Sequence, residues 1–407
     1  MIGVIVLVSF IGLQQESLTR QRVTGNEATQ PASSSIYLQQ HDATMTSNSG
    51  KPHSSVVSAG MPYVQGTQIL DGTGHPLRLR GAQIESAFNN IKSWQAGLRI
   101  NTPLNSTVFN AMVQTWNMNA LRLPLSNWIY ATNPTLYLSM LDQVVQEANS
   151  AGLYVVLDLH DDLKAGSPYG DNADLPKTED IPFWQAIATH YKNNPAVMFD
   201  LYNEPSEPSW TVWATGGAVI GGANIVGFQD LITAVRGTGA RQIIVVEPGS
   251  AGGNNQGWKT FPSSTLTDPN IVYSLHEYQN VTFTAQQLDT LWGPILYHHP
   301  IYYGEWALLP NGYGQSGKDF CKNIVHAQAD QVVTNFMSYM DSRAASFTAW
   351  EFTPYHLIQN YTNFAPTTLD IPWVCGDPNG QAGMGTMVKQ HLMGAVAQQH
   401  LLGSRVG

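Results

Sequence analysis

Cysteine is nearly missing from this chain of 407 residues, which carries only Cys321 and Cys375. Two thiols cannot build a disulfide-scaffolded fold or a thiolate zinc site, and leave room for one bridge or two free thiols. Charge is scarce as well. Only 12% of residues are charged, and 19 Lys and Arg against 29 Asp and Glu give a formal net charge of −10. That balance argues against nucleic acid and for a neutral partner. No apolar run reaches the length of a bilayer span. No Gly-x-Gly-x-x-Gly element follows an early strand, no Gly-x-Ser-x-Gly elbow follows any strand, phosphate-binding loops are absent, and there is no internal repeat. Dinucleotide chemistry and Ser-His-Asp hydrolysis are thereby disfavoured.

What the chain does have is aromatic residues, 10% of the total with 11 Trp and 17 Tyr. Most such rings belong to a core, while sugar-binding clefts also use them as apolar platforms. Two glutamates stand out against this background. Glu204 ends Val-Met-Phe-Asp-Leu-Tyr-Asn-Glu-Pro (197–205) and Glu305 ends Ile-Tyr-Tyr-Gly-Glu (301–305). An apolar run that stops at a carboxylate reads as a buried parallel strand delivering an acid to a barrel rim. Two acids so placed suit glycoside cleavage, in which one carboxyl protonates the leaving oxygen and another attacks or stabilises the anomeric carbon.

Three segments are expected along the chain. Residues 1–13 form an apolar stretch the length of a signal-peptide core, without the usual basic start or small-residue cleavage site. Residues 14–60, rich in Ser, Thr, Gln and Asn, read as a disordered linker. Residues 61–407 read as one catalytic domain, opening with a short β-hairpin around Asp71 to His75. Eight apolar runs follow, near 77–83, 120–123, 154–159, 197–201, 243–246, 271–275, 301–303 and 347–349. Amphipathic segments separate them, among them 136–151 with Leu138, Leu141, Val144, Val145 and Ala148 at helical spacing. The count predicts an α/β fold, a (β/α)8 TIM barrel with that N-terminal hairpin, and a last helix over 384–399.

Read together, the strand ends present Arg122, His160, Asn203 with Glu204, Glu247, His276 with Tyr278, Glu305 with Trp306, and Trp350. A barrel carries its functional groups on that face. Taken singly, His160 and His276 would more often be structural histidines, Trp350 a core residue and Arg122 a neutraliser of buried acids. An acid that must stay ionised wants a guanidinium or a hydroxyl donor beside it, whereas one that must stay protonated wants desolvation and a neighbouring carboxylate. Glu247 reads as a polar loop anchor, and Asp158, Asp161 and Glu277 as supporting groups. His298 and His299 lack partners at ligand spacing, so the scheme needs no metal and no cofactor.

In order, Leu-Arg-Gly-Ala (79–82), Asn-Ala-Leu-Arg-Leu-Pro (119–124), Val-Val-Leu-Asp-Leu-His-Asp (155–161), Leu-Tyr-Asn-Glu-Pro (201–205), Ser-Leu-His-Glu-Tyr (274–278), Tyr-Gly-Glu-Trp (303–306) and Ala-Trp-Glu (349–351) resemble glycoside hydrolase family 5, the cellulase-type retaining β-glycanases. The resemblance runs from about Met61 to the C-terminus. It implies Glu204 as general acid/base and Glu305 as nucleophile, with roughly 5 to 5.5 Å between them. It also implies Asn203 on the sugar 2-hydroxyl, His160 and His276 in substrate hydrogen bonding and carboxylate orientation, and Trp350 as the platform of the −1 subsite. The expected activity is an exported, monomeric, retaining endo-β-1,4-glucanase acting on polysaccharide, without nucleic-acid partner or integral membrane span. A β-mannanase or another hydrolase of the family is the nearest alternative, and a non-catalytic carbohydrate-binding barrel the alternative of another class. Cleft loops would decide the substrate, notably 89–103 with Trp94 and 206–227 with Trp210 and Trp213.

Overall fold

The computed structural model describes residues 60–90, 94, 103–161, 175–205, 209–220, 222–249, 257–262, 265–279, 282–308, 326–354, 356–368 and 384–403. Residues 1–59, both cysteines and most of the 89–103 loop lie outside them. The strands run β1 (Tyr63–Gln65), β2 (Gln68–Leu70), β3 (Arg80–Gln83), β4 (Ala120–Ser126), β5 (Tyr154–Asp161) and β6 (Val197–Asp200). After these come a small hairpin of β7 (Val219–Ile220) and β8 (Ala223–Asn224), then β9 (Ile244–Val246), β10 (Ile271–Gln279), β11 (Ile301–Leu308) and β12 (Ser346–Ala349). Strands β3, β4, β5, β6, β9, β10, β11 and β12 pair in parallel and close into the expected eight-stranded barrel.

Helices fill the outside. Between β4 and β5, α1 is Pro134–Ala151; it starts on an Asn133 side-chain cap with Pro134 in its first turn and stops at Gly152, whose φ of 108° suits glycine. It buries Tyr137, Leu141, Val144, Val145 and Ala148, four of the five apolar positions of the expected stripe plus one tyrosine, while Leu138 is half-buried. Further along, α2 (Asp180–Tyr191) and α3 (Phe228–Gly237) flank β6, and α4 (Gly385–Gly403) ends the described chain.

Strand pleating sorts the side chains into two layers. Leu121, Leu123, Val155, Leu157, Val197, Phe199, Ile244, Val246, Tyr303 and Phe347 face the helices in one large core. The alternate residues Ala120, Val156, Met198, Val245, Val272 and Tyr302 face the barrel axis in a second, smaller core, closed below by Ile69 and Leu79. One step further up each strand, the inward positions become Arg122, Asp158, Asp200, Ser274 and Thr348, all buried. The polar site therefore rests on an apolar floor inside the same barrel.

The hairpin differs from expectation. β1 pairs with β2 across Gly66 and Thr67, with Gln65 opposite Gln68. The turn at Asp71 to Gly74 forms as well, but only a single bridge from Leu70 to Pro76 flanks it. Proline has no N–H to extend that ladder.

Candidate active site

Arg122 is the centre of the site. Its Nε donates to Asp200 Oδ2 at 3.0 Å, its Nη1 to Glu305 Oε1 at 2.7 Å and to Gln83 Oε1, and its Nη2 to Asn203 Oδ1 and Glu247 Oε1, both at 3.0 Å. Asp158 Oδ2 also lies 3.0 Å from Nη2. One permanent cation thus faces four buried carboxyls, too many for all to be ionised beside it. Burial, with Glu247 next to it, pushes Asp200 well above the usual carboxylate range. Burial would raise Glu305 as well, but His276, Arg122 and His160 and the Tyr278 hydrogen bond outweigh it and hold Glu305 below the usual range. Tyr278 donates its hydroxyl to Glu305 Oε2 at 2.6 Å.

Both histidines are pushed toward the charged form. Burial would strip His160, yet Asp158, at 2.8 Å from Nδ1, and Glu305 raise it to about 9. Burial likewise opposes charge on His276, and the carboxylates of Glu247 and Glu305 lift it well above its ordinary value. His276 Nδ1 donates to Glu204 Oε1 at 2.9 Å and lies 3.5 Å from Glu305 Oε2. Its Nε2 is 2.9 Å from Glu247 Oε1, near enough for an ion pair though out of line for a hydrogen bond.

Local backbone irregularity aims these groups. The β10–β11 register shifts after Leu275, so that Leu275 pairs with Tyr303 and His276 with Glu305. Gly304 is the residue passed over. A Cβ there would sit 2.7 Å from Ser274 Oγ and 3.0 Å from His276 Nε2, so glycine is what lets the imidazole lie against β11. The bulge also changes the phase of the pleat, and Glu305 turns inward directly after Gly304. Glu204 is held differently. Its φ is 44°, a left-handed conformation rare outside glycine, and its backbone N–H donates to Glu247 Oε2 at 2.7 Å.

All eight expected site residues meet here. Arg122, Asn203, Tyr278, His160, His276, Glu204 and Glu305 form one contact network, and the half-buried Trp350 ring lies 6.2 Å from His160 at 25° between planes. Oxygens of Glu204 and Glu305 and a nitrogen of His276 lie within 4.8 Å of one another. The Glu204 side chain is 49% exposed. Glu277, between two inward residues, points to the other face of β10, where burial raises it to about 7. Trp213 is fully buried against Trp258 and Phe228, a core role rather than a cleft role, whereas Trp210 is only half-buried. Sequence reading passed over Asp200 and Gln83, although each sits two residues beyond an inward position, Met198 and Gly81. It also gave Glu247 less than its place in the network.

Comparison with known proteins identifies the family and the fold. The model of the cellulase family, glycosyl hydrolase family 5, matches residues 70–356. Endoglucanase E-5 of Thermobifida fusca is 27% identical over 235 residues, or 54% of this chain and 42% of that protein. A mannan endo-1,4-beta-mannosidase of Cellvibrio japonicus is 24% identical over 331 residues, covering 75% of this chain and 67% of that one. Several matched relatives are longer; the aligned part spans only 31% of the cellulase/esterase CelE of Acetivibrio thermocellus. The beta-glucanase SdGluc5_26A of Saccharophagus degradans shares the fold, with a TM-score of 0.61 at 20% identity over 83% of this chain and 96% of that one. With the family model spanning the barrel to beyond Trp350, the chain belongs to glycoside hydrolase family 5, a family of retaining glycosidases.

Proposed function

We propose that this protein is an endo-β-1,4-glucanase, exported and acting as a monomer, with Glu305 as nucleophile and Glu204 as acid/base. One observation carries the reading: two carboxyls within 4.8 Å sit in opposite environments. Glu305 is buried and held ionised by cations, ready to attack. Glu204 is half exposed at the rim, where a leaving oxygen and later a water can reach it. Glu305 would bond the anomeric carbon while Glu204 gives its proton to the departing oxygen; Glu204 would then take a proton from the water that releases the glycosyl-enzyme. Separation this short suits double displacement rather than inversion. Asn203, fixed by Arg122, is placed for the sugar 2-hydroxyl, and Trp350 for the sugar face. Several relatives named endoglucanases support the choice of β-glucan.

A second reading, β-mannanase, is favoured by the Cellvibrio japonicus match over 331 residues. Reducing-end release from carboxymethyl-cellulose, barley β-glucan, glucomannan, galactomannan, xyloglucan and laminarin, run beside Glu305→Gln, separates the two. Cleavage of the first two polymers, lowered at least about 10⁴-fold in the variant, is the expected result. Preference for galactomannan would transfer the same chemistry to mannan. Full activity in Glu305→Gln would remove the nucleophile assignment.

A further inference from the structure

We infer that Glu247, on the end of β9, is a positioning residue for proton donation: its carboxylate clamps the Glu204 backbone and the His276 ring, and so fixes where the acid points. The inference rests on the roles proposed above for Glu204 and Glu305.

The geometry separates two arms of the site. Glu247 Oε2 accepts the Glu204 N–H at 2.7 Å, at the residue whose φ of 44° is otherwise unfavourable. Glu247 Oε1 accepts from Arg122 Nη2 and pairs with His276 Nε2, and His276 Nδ1 in turn holds Glu204 Oε1. Glu204 is therefore gripped at its backbone and at its carboxyl, and both grips lead to Glu247. The Glu247 main chain is itself fixed, because its carbonyl accepts the Trp213 indole N–H at 3.0 Å. Glu305 has His276 Nδ1 at 3.5 Å but keeps direct hydrogen bonds that do not pass through Glu247. It is held by Arg122 Nη1 and by Tyr278, and Arg122 keeps Asp200, Gln83 and Asn203 as partners without Glu247. Loss of the Glu247 clamp should thus misplace the acid while leaving the nucleophile in place.

An amide at this position cannot reproduce the clamp. Glu204 N–H and Arg122 Nη2 each donate to a different oxygen of Glu247, so Glu247→Gln would turn an NH₂ toward one of them. The readout is leaving-group dependence. Bond cleavage to 2,4-dinitrophenolate needs no proton from Glu204, because the anion departs unaided, whereas cleavage to a sugar alkoxide requires it. kcat/KM reports only the step that forms the glycosyl-enzyme, so it isolates proton donation from later hydrolysis.

The test compares kcat/KM for the 2,4-dinitrophenyl glycoside with that for the unsubstituted tetrasaccharide, in the glucose or mannose series, whichever the parent enzyme cleaves. A parent active only on mannosides changes the substrate assignment and leaves this comparison intact. Glu247→Gln should lose about 10²-fold on the tetrasaccharide and stay within about threefold of parent on the dinitrophenyl glycoside, as a misplaced general acid would. Glu204→Ala should show the same split, only larger. Equal losses on both substrates in Glu247→Gln would overturn the inference, and equal losses in Glu204→Ala would overturn the roles beneath it. Should Glu247→Gln fail to fold, Glu247→Asp keeps the charge but shortens the reach, and the same split or its absence decides.

Discussion

The lower and upper halves of the barrel interior are lined by the same strands, one inward step apart, and are built on opposite principles. Below, Ala120, Val156, Met198, Val245 and Val272 form an apolar floor that needs only close packing. Above, Arg122, Asp158, Asp200, Glu247 and Glu305 put one guanidinium among four carboxyls, out of water. Such a cluster is a weak source of stability, since desolvation takes back most of the attraction. Its value is positional: every oxygen that matters is aimed by a fixed donor. The difference teaches that the floor keeps the barrel closed while the upper layer spends free energy on geometry.

Removing the guanidinium should expose that contrast most sharply. Arg122→Met leaves four acids buried without their cation, and urea unfolding should show a loss of about 3–5 kcal/mol together with loss of activity. A variant as stable as the parent would mean that the acids simply take up protons, and that the cluster is not held together by Arg122. Cutting the floor instead should uncouple stability from catalysis. Met198→Ala removes a fully buried inward side chain and should cost about 3 kcal/mol, with kcat/KM little changed below the melting range. A matching fall in kcat/KM would show that the floor also positions the site.

The smallest effect concerns pH. His160 has its folded-state value raised from 6.5 to about 9, so its contribution to stability is fully present below pH 6.5 and is lost as pH rises through about 9. Thermal melts of His160→Gln should therefore lie furthest below the parent at pH 6 and converge with it as the pH approaches 9. Met198→Ala should run parallel to the parent over that range, because nothing in the floor changes charge there. A constant gap for His160→Gln would remove the imidazolium from the upper layer.

Much of this was legible in the sequence. The eight runs read correctly because a buried parallel strand is apolar on both faces, and the acids stood out because they interrupt that pattern at the rim. Strand lengths were underestimated. β5, β10 and β11 continue to Asp161, Gln279 and Leu308 through polar residues that the apolar criterion stops at. Asp200 escaped notice because a single acid inside an apolar run has no local partner; its partner, Arg122, is 78 residues away. The left-handed backbone of Glu204 and the bulge at Gly304 have no composition signal either. They arise from contacts between strands, which only the closed barrel brings about. The hairpin turn went to Asp71 because Asp-Gly-Thr-Gly has the stronger turn chemistry, whereas ladder donors favour Gly66.

Arg122 has five N–H groups, and the oxygens of Asp200, Gln83, Glu305, Asn203 and Glu247 use all of them. Anyone wishing to retune the working pH of this enzyme should therefore leave the centre alone. A change at Asp200, Gln83 or Glu305 takes an acceptor from Nε or Nη1, whereas Nη2 still has Asp158 Oδ2 at 3.0 Å, so single substitutions on the first side will interfere with one another and are best made together. The nearest dial is His160, which faces Trp350 on one side and reaches the guanidinium only through the shared Asp158 oxygen.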